Sequence, residues 1–332
     1  MRARSRSLPL LALAAVLATA ACGESGSSGT GGGAEAGGTA SGDACAPVAG
    51  DQLVVLEDDQ QLQNADNVVP AVNAAAAQAN PALLETLNRV SAELTTDELI
   101  DMNAAVDVQR ESAEDVAAAW VTENGLDTGL SGGSGPIVVG AADFTESQVL
   151  ATIYADVLTA AGFQATVQTV GNRELYLPAL QRGEIQAFPE YLATVTEALD
   201  ADDARQVASG DVAETVAALT PLAEQAGLVF GEPAEAADQN AFAVTQEFAD
   251  QLGVTTLSEL ADACSDGSLV LGGPGECPER PQCQPGLEET YGLQFASFSE
   301  LDAGGPLTKA AIQQGEVSIG LVFSSDGALA QG

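Results

Sequence analysis

The residues from Ile137 to Tyr191 leave the chain little choice of fold. Ile137-Val138-Val139-Gly140 is an apolar run of strand length. Thr145 and Gln148 then stand at capping-box spacing ahead of a helix whose apolar face is Val149, Leu150, Ile153, Tyr154, Val157 and Leu158, and which stops at Gly162. Residues 165–170 follow as a second strand, 175–181 as a helix and 185–188 as a third strand. Strands alternating with helices at this period must run parallel, because each pair needs a long crossover. The spacing therefore predicts an α/β fold. In such sheets ligands sit beyond the carboxyl ends of the strands. That places Asp143-Phe144-Thr145, Gly171-Asn172-Arg173 and Pro189-Glu190-Tyr191 in the candidate site.

Residues 242–244, 269–271, 293–295 and 319–323 are candidate strands of a second lobe. Ahead of all of these, LVVL at 53–56 reads as a buried strand ending in the acids Glu57, Asp58 and Asp59. Helices follow it. Leu83, Leu84, Leu87, Val90 and Leu94 recur at helical spacing, and Ser112 with Asp115 opens a helix that runs through Trp120 to Gly125. Residues 127–135, rich in Gly and Ser, are expected to be a flexible linker.

The first residues are a targeting segment. Arg2, Arg4 and Arg6 precede a short apolar stretch, too short to span a bilayer, which ends in Thr19-Ala20-Ala21-Cys22. Small residues before a cysteine form a bacterial lipobox pattern, so residues 1–21 are expected to be a signal peptide and Cys22 a lipidation site. Residues 22–43, mostly Gly, Ser, Ala and Thr, cannot bury enough apolar surface to order themselves and form a tether. The expected location is extracytoplasmic, held to the cell membrane by the lipid.

Charge excludes several functions. The chain carries 48 acidic residues against 10 basic ones, for a net −38, and Lys309 is its only lysine. Such a field repels nucleic acid and anionic lipid head groups. It serves solubility in the first place, and favours cationic ligands in the second. There is no histidine. His-based triads, His-ligated metals and the usual general base are thereby absent, and no enzymatic activity, metal or cofactor is expected.

Besides Cys22 the chain has Cys45, Cys264, Cys277 and Cys283. In an exported protein an even count favours disulfides. Cys277 and Cys283 flank a Pro-stiffened loop suited to a local bridge, which leaves Cys45 to pair with Cys264. A four-cysteine zinc site is the rival, disfavoured by the absence of any C-x-x-C pair.

Longer stretches carry a resemblance. VGAADFTESQVLATIYADVL, VGNRELYLPALQRGEIQAFPEYLATV, GGPGECPERPQCQPGLEETYG, LDAGGPLTKAA and FSSDG resemble glycine betaine/choline-type substrate-binding proteins of osmoprotectant ABC importers, from 137 to 327. The resemblance implies a two-lobed periplasmic-binding-protein-like fold of type II, with the ligand cleft between the lobes. In relatives the LVVLEDD-like strand, the NVVP-like crossing and the helical tail follow the FSSDG-like motif; here they come first. The chain therefore resembles a circular permutant, with residues 126–136 as the new link. Fully extended, that link would reach on the order of 35 Å. By analogy the crossings lie near 60–65 and 236–239, giving lobe I as 66–236 and lobe II as 45–65 plus 237–332.

The resemblance also implies function. It points to capture of a betaine-like or quaternary ammonium solute (glycine betaine, choline, carnitine, or a histidine-derived betaine) by a monomer that delivers it to an ABC permease with its ATPase. A sensing or scavenging lipoprotein of the same fold is the alternative. A quaternary ammonium donates no hydrogen bonds, so it needs aromatic faces, each contributing about 0.5–2 kcal/mol. Tyr191 matches a cage tyrosine of the family, and Phe242 and Phe323 fall at further aromatic positions. Arg280 matches the arginine that holds the ligand carboxylate. Asn240 stands beside Phe242 in its motif, and Asp143 and Thr145 belong to the DFTES element. Two departures stand out. Asp66 aligns nearest a further cage tyrosine, and Ala142 replaces a lysine, which together shift the pocket towards net positive ligands.

Overall fold

The computed structural model describes residues 45–200 and 206–331; the expected signal peptide, Cys22 and the tether to residue 43 lie outside them. Among the described residues ten strands form two sheets of five. In chain order they are β1 (Leu53–Leu56), β2 (Val68–Asn73), β3 (Pro136–Ala141), β4 (Gln164–Thr169), β5 (Ala187–Tyr191), β6 (Leu228–Phe230), β7 (Asn240–Thr245), β8 (Leu269–Gly273), β9 (Phe295–Glu300) and β10 (Ile319–Phe323).

Lobe I holds the sheet β4-β3-β5-β2-β6, and lobe II the sheet β9-β8-β10-β7-β1. The two orders are equivalent. In each, three strands run parallel, a fourth lies antiparallel to them and a fifth antiparallel to the fourth. The chain passes between lobes twice, from β1 to β2 and from β6 to β7. The two crossings touch: Asn67 bridges Ala237, and the Asp238 N–H donates to the Asp66 carbonyl at 3.2 Å.

Each sheet is covered on both faces. In lobe I, Leu83, Leu87, Val90, Leu99 and Trp120 of the early helices (Ala82–Glu93, Thr96–Asp107, Ala113–Glu123) pack with Val149, Leu150, Ile153 and Val157 of helix Thr145–Ala161. Burying such side chains contributes about 1.5–3 kcal/mol each. The early helical block thus shares one core with strands written much later. Lobe II is closed by a core that contains both disulfides, Cys45–Cys264 and Cys277–Cys283. Both pairings are those expected.

Three local expectations change. Residues 127–135 are tied down at their ends rather than loose: Leu126 is buried, the Gly133 N–H donates to the Ala161 carbonyl at 3.0 Å, and the Gln164 N–H donates to Gly135 at 2.8 Å. A Cβ at Gly133 would sit 2.4 Å from the Phe163 ring, so the glycine permits this close approach. The capping box at Thr145 does not form. Phe144 is the N-cap and offers no side-chain cap, while the Thr145 hydroxyl is drawn to Asp107 Oδ1 at 2.8 Å. Last, the strand expected at 293–295 is β9, five residues further on at its end; FASFSE is a mostly exposed edge strand, and lacks the apolar run that marks a central one.

Candidate functional site

Parallel strands end at the cleft, and so do the starts of the antiparallel strands beside them. Tyr191 at the end of β5 lies opposite Val68 at the start of β2, and Phe323 at the end of β10 lies opposite Asn240 at the start of β7. The two crossings therefore run along the same edge. The result is a cavity of about 680 Å³ between the lobes.

Lobe I lines most of it. The turn after β3 contributes Ala142, Asp143 and Phe144, the segment after β4 Gly171, Asn172 and Arg173, the end of β5 Tyr191, and the helix Leu192–Leu199 that follows it Thr194 and Glu197. Gln63, Asn64 and Asp66 come from the first crossing, Asp238 and Gln239 from the second; lobe II adds Asn240, Gln282 and Phe323.

The aromatic rings fall into two groups. Tyr176 and Phe188 stack on each other at 3.8 Å between centroids, and the Arg173 guanidinium already lies 5.8 Å from the Tyr176 centroid. Phe144 and Tyr191 are 6.4 Å apart at 29° and carry no such partner. Phe144 is 45% exposed and Phe323, from the opposite lobe, 39%. These rings leave π-faces open for a soft cation.

Four carboxylates, Asp66, Asp143, Glu197 and Asp238, stand among the amides of the polar lining. Arg173 is the only cation among the described residues lining the cavity, and it is engaged with Glu190 at 3.1 Å. Glu190 is fully buried; burial raises its pKa, and Arg173 and the Tyr191 N–H offset this. Asp66 accepts from the Thr194 N–H at 2.9 Å and from the Thr194 hydroxyl, yet burial outweighs both and raises it. Glu146 lies behind the cleft, accepting from the Tyr191 hydroxyl and from Asn103 Nδ2 at 2.6 Å, and burial raises it too. Burial first, and then the charge of Glu146, push Asp238 up to about 8. Tyr191 is held well above the usual phenol range by burial and by Glu146, so its hydroxyl stays a donor.

The structure brings together Asp66, Asp143, Tyr191, Asn240 and Phe323 of the residues singled out in the sequence. It does not bring in the other three. Phe242 is buried in the lobe II core, opposite both Leu56 and Leu321 in the sheet register. Two residues into β7, it is already between two neighbouring strands. Arg280 projects from the Cys277–Cys283 loop into solvent and pairs with Glu276 at 3.1 Å; only Gln282 of that loop reaches the cavity. Thr145 lines an adjoining hollow with Asp107, Glu146 and Asp326. Sequence reasoning marked the segments that hold Phe144 and Arg173 but gave these two residues no role of their own, and it passed over Tyr176 and Asp238. Phe144 and Arg173 stand inside segments marked by the strand-end rule, and Asp238 lies within the second crossing; a systematic use of those two signals would have found them.

Comparison with known proteins agrees with this architecture. A family described as the substrate binding domain of ABC-type glycine betaine transport systems matches residues 46–123 and 135–331. A curated glycine-betaine-binding protein of Pseudomonas aeruginosa is 28% identical over 200 residues, which are 58% of this chain and 62% of that protein; the chain thus spans less than two thirds of that relative. Among solved structures, apo YehZ of Escherichia coli is 26% identical with a TM-score of 0.50, over 58% of this chain and 71% of that one. A crystal structure titled glycine betaine/carnitine/choline ABC transporter is 20% identical with a TM-score of 0.45, over the same shares of the two chains. The family is a binding component of transport systems and not a family of enzymes. With two equivalent sheets, two crossings, a cleft at their shared edge and a family match across both lobes, the chain belongs to the substrate-binding domains of ABC-type glycine betaine transport systems.

Proposed function

We propose that this protein is the extracytoplasmic receptor of an ABC importer, capturing a betaine-like or quaternary ammonium solute between its lobes and passing it to a membrane permease and its ATPase. One observation carries the reading: the exposed rings of Phe144 and Phe323, with Tyr191 in the wall beside Phe144, converge with Asp66, Asp143 and Asp238 on one interlobe cavity. Methylated ammonium needs this pairing of π-faces with diffuse negative charge. Ligand bridging both lobes would favour the closed arrangement by population shift.

The lipobox pattern ending at Cys22 supports a lipid anchor, and the Gly/Ser-rich residues after it a leash to the membrane. A circularly permuted order is supported by the family match in two stretches and by the pairwise matches stopping at 58% of the chain.

A thermal-shift screen of residues 44–332 against choline, carnitine, glycine betaine and a histidine-derived betaine tests the function. Ligand at a hundred times its dissociation constant adds about 2.7 kcal/mol of stability. At least one quaternary ammonium compound is expected to raise the melting temperature, and Tyr191→Ala to weaken that response. A flat panel, or a response untouched by Tyr191→Ala, overturns the reading.

A further inference from the structure

Asp238 occupies an unusual place. It sits on the second crossing, where lobes I and II meet, and lines the cavity. Its Oδ1 is buried without a hydrogen-bond partner, while the Ser325 hydroxyl is the one side-chain donor beside the carboxyl. A carboxylate so placed costs free energy unless something positive meets it.

No permanent cation among the described residues does so. The groups facing Asp238 are Asp66 on the first crossing, Glu146 on helix Thr145–Ala161, Tyr191 at the end of β5, and Asp326 after β10. Each is an acid or a neutral hydroxyl. The nearby cations are committed elsewhere, Arg173 to Glu190 and Lys309 to Asp326 at 2.5 Å. Two species can neutralise the carboxylate: a proton, or a cationic group arriving in the cleft.

We propose that Asp238 makes solute capture proton-linked: the unliganded cleft holds a proton on this carboxyl, and entry of a quaternary ammonium head group expels it to solvent. The step balances simply. The O–H bond at Asp238 breaks, the proton leaves with a water or buffer molecule, and the ammonium charge replaces it beside the carboxylate. The inference rests on the receptor function proposed above. It gives Asp238 a role as a specificity-determining residue, since a cation with no opposing carboxylate gains the full benefit of the ionised acid.

Linkage fixes the sign. Burial and Glu146 raise Asp238 in the unliganded protein, and a bound cation lowers it. Below about pH 8 binding must therefore release a proton, and affinity falls by up to about tenfold per pH unit as the solution is acidified. Above that pH affinity levels off.

Isothermal titration calorimetry with choline, run at pH 7 in phosphate and in Tris, reads the proton directly, because the two buffers take up a proton with different heats. Release of close to about one proton per choline is expected, falling to none in Asp238→Asn, whose affinity should no longer depend on pH between 6 and 8. Glu146→Gln, which keeps Asp238 but removes the charge that raises it, should move the affinity–pH curve to lower pH. Choline binding with equal heats in the two buffers, or with release that persists in Asp238→Asn, overturns the proton linkage and leaves the receptor function standing. Failure of both choline and glycine betaine to bind overturns the receptor function, and the linkage with it.

Discussion

The two lobes have the same strand order, yet they are used differently. Lobe I carries both stacked aromatic pairs and the Arg173–Glu190 ion pair, and the segments at and after the ends of β3, β4 and β5 supply most of the cavity lining. It contains none of the disulfides. Lobe II gives the cavity only Asn240, Gln282 and Phe323, but holds both bridges in its core. A common scaffold therefore does not divide chemistry evenly. Binding groups gather at the strand ends of one lobe, and covalent reinforcement gathers in the other, where Cys45–Cys264 ties down the chain just ahead of β1, an edge strand of four residues paired only with β7.

The bridge between Cys45 and Cys264 offers the sharpest test of that division. Replacing both cysteines by serine should cost about 2–5 kcal/mol in urea denaturation, because the bridge closes a very long loop, with little change in solute affinity. If stability held and affinity collapsed, lobe II would be a binding element and the contrast would fail. Next in size is the effect of the cleft acids. Asp66, Glu146 and Asp238 all stand above their ordinary values through burial. A raised carboxylate binds its proton more tightly in the folded than in the unfolded state, so its contribution is present below the ordinary Asp range and is lost as pH climbs. For Asp238 the window runs up to about pH 8. The unliganded protein should lose stability across it, and Asp238→Asn should recover roughly 1–3 kcal/mol near pH 8, seen as a higher melting temperature. A smaller effect separates the rings. Phe144→Ala should weaken binding by about 0.5–2 kcal/mol, measured by calorimetry with the best ligand. An equal loss from Phe323→Ala would show that lobe II shares the cage and would blur the distinction. Smallest of all is Arg280→Ala. Its exposed pair with Glu276 contributes less than about 1 kcal/mol, and the substitution should leave affinity unchanged; a clear loss would bring the Cys277–Cys283 loop into the site.

Where sequence reasoning picked residues that line the cavity, it used local rules. Tyr191 and Asp143 follow from the end of a parallel strand, and Phe323 and Asn240 from motif context. Phe242 and Arg280 show what that reasoning lacks. Phe242 differs from Asn240 by two positions on one strand, but register places one against Leu56 and Leu321 and the other at the cleft edge. Arg280 lies in a loop closed by the short bridge, and the direction in which that loop presents each side chain depends on the turn it adopts. Neither is written in residue type.

What the sequence determined by itself is the class of fold and its reinforcement. Alternating apolar runs of strand and helix length demand parallel β-α-β units, and an even set of exported cysteines favours pairing. Those outcomes depend on local periodicity and on parity, which a linear string preserves. The tertiary structure alone decided that Asp66, Glu146 and Asp238, far apart in the chain, would gather in and behind one cleft, where Arg173 acts on Asp66 while Glu146 and Asp238 are raised by burial. The cost of burying a charge depends on what surrounds it, and those surroundings exist only once the two crossings lie side by side.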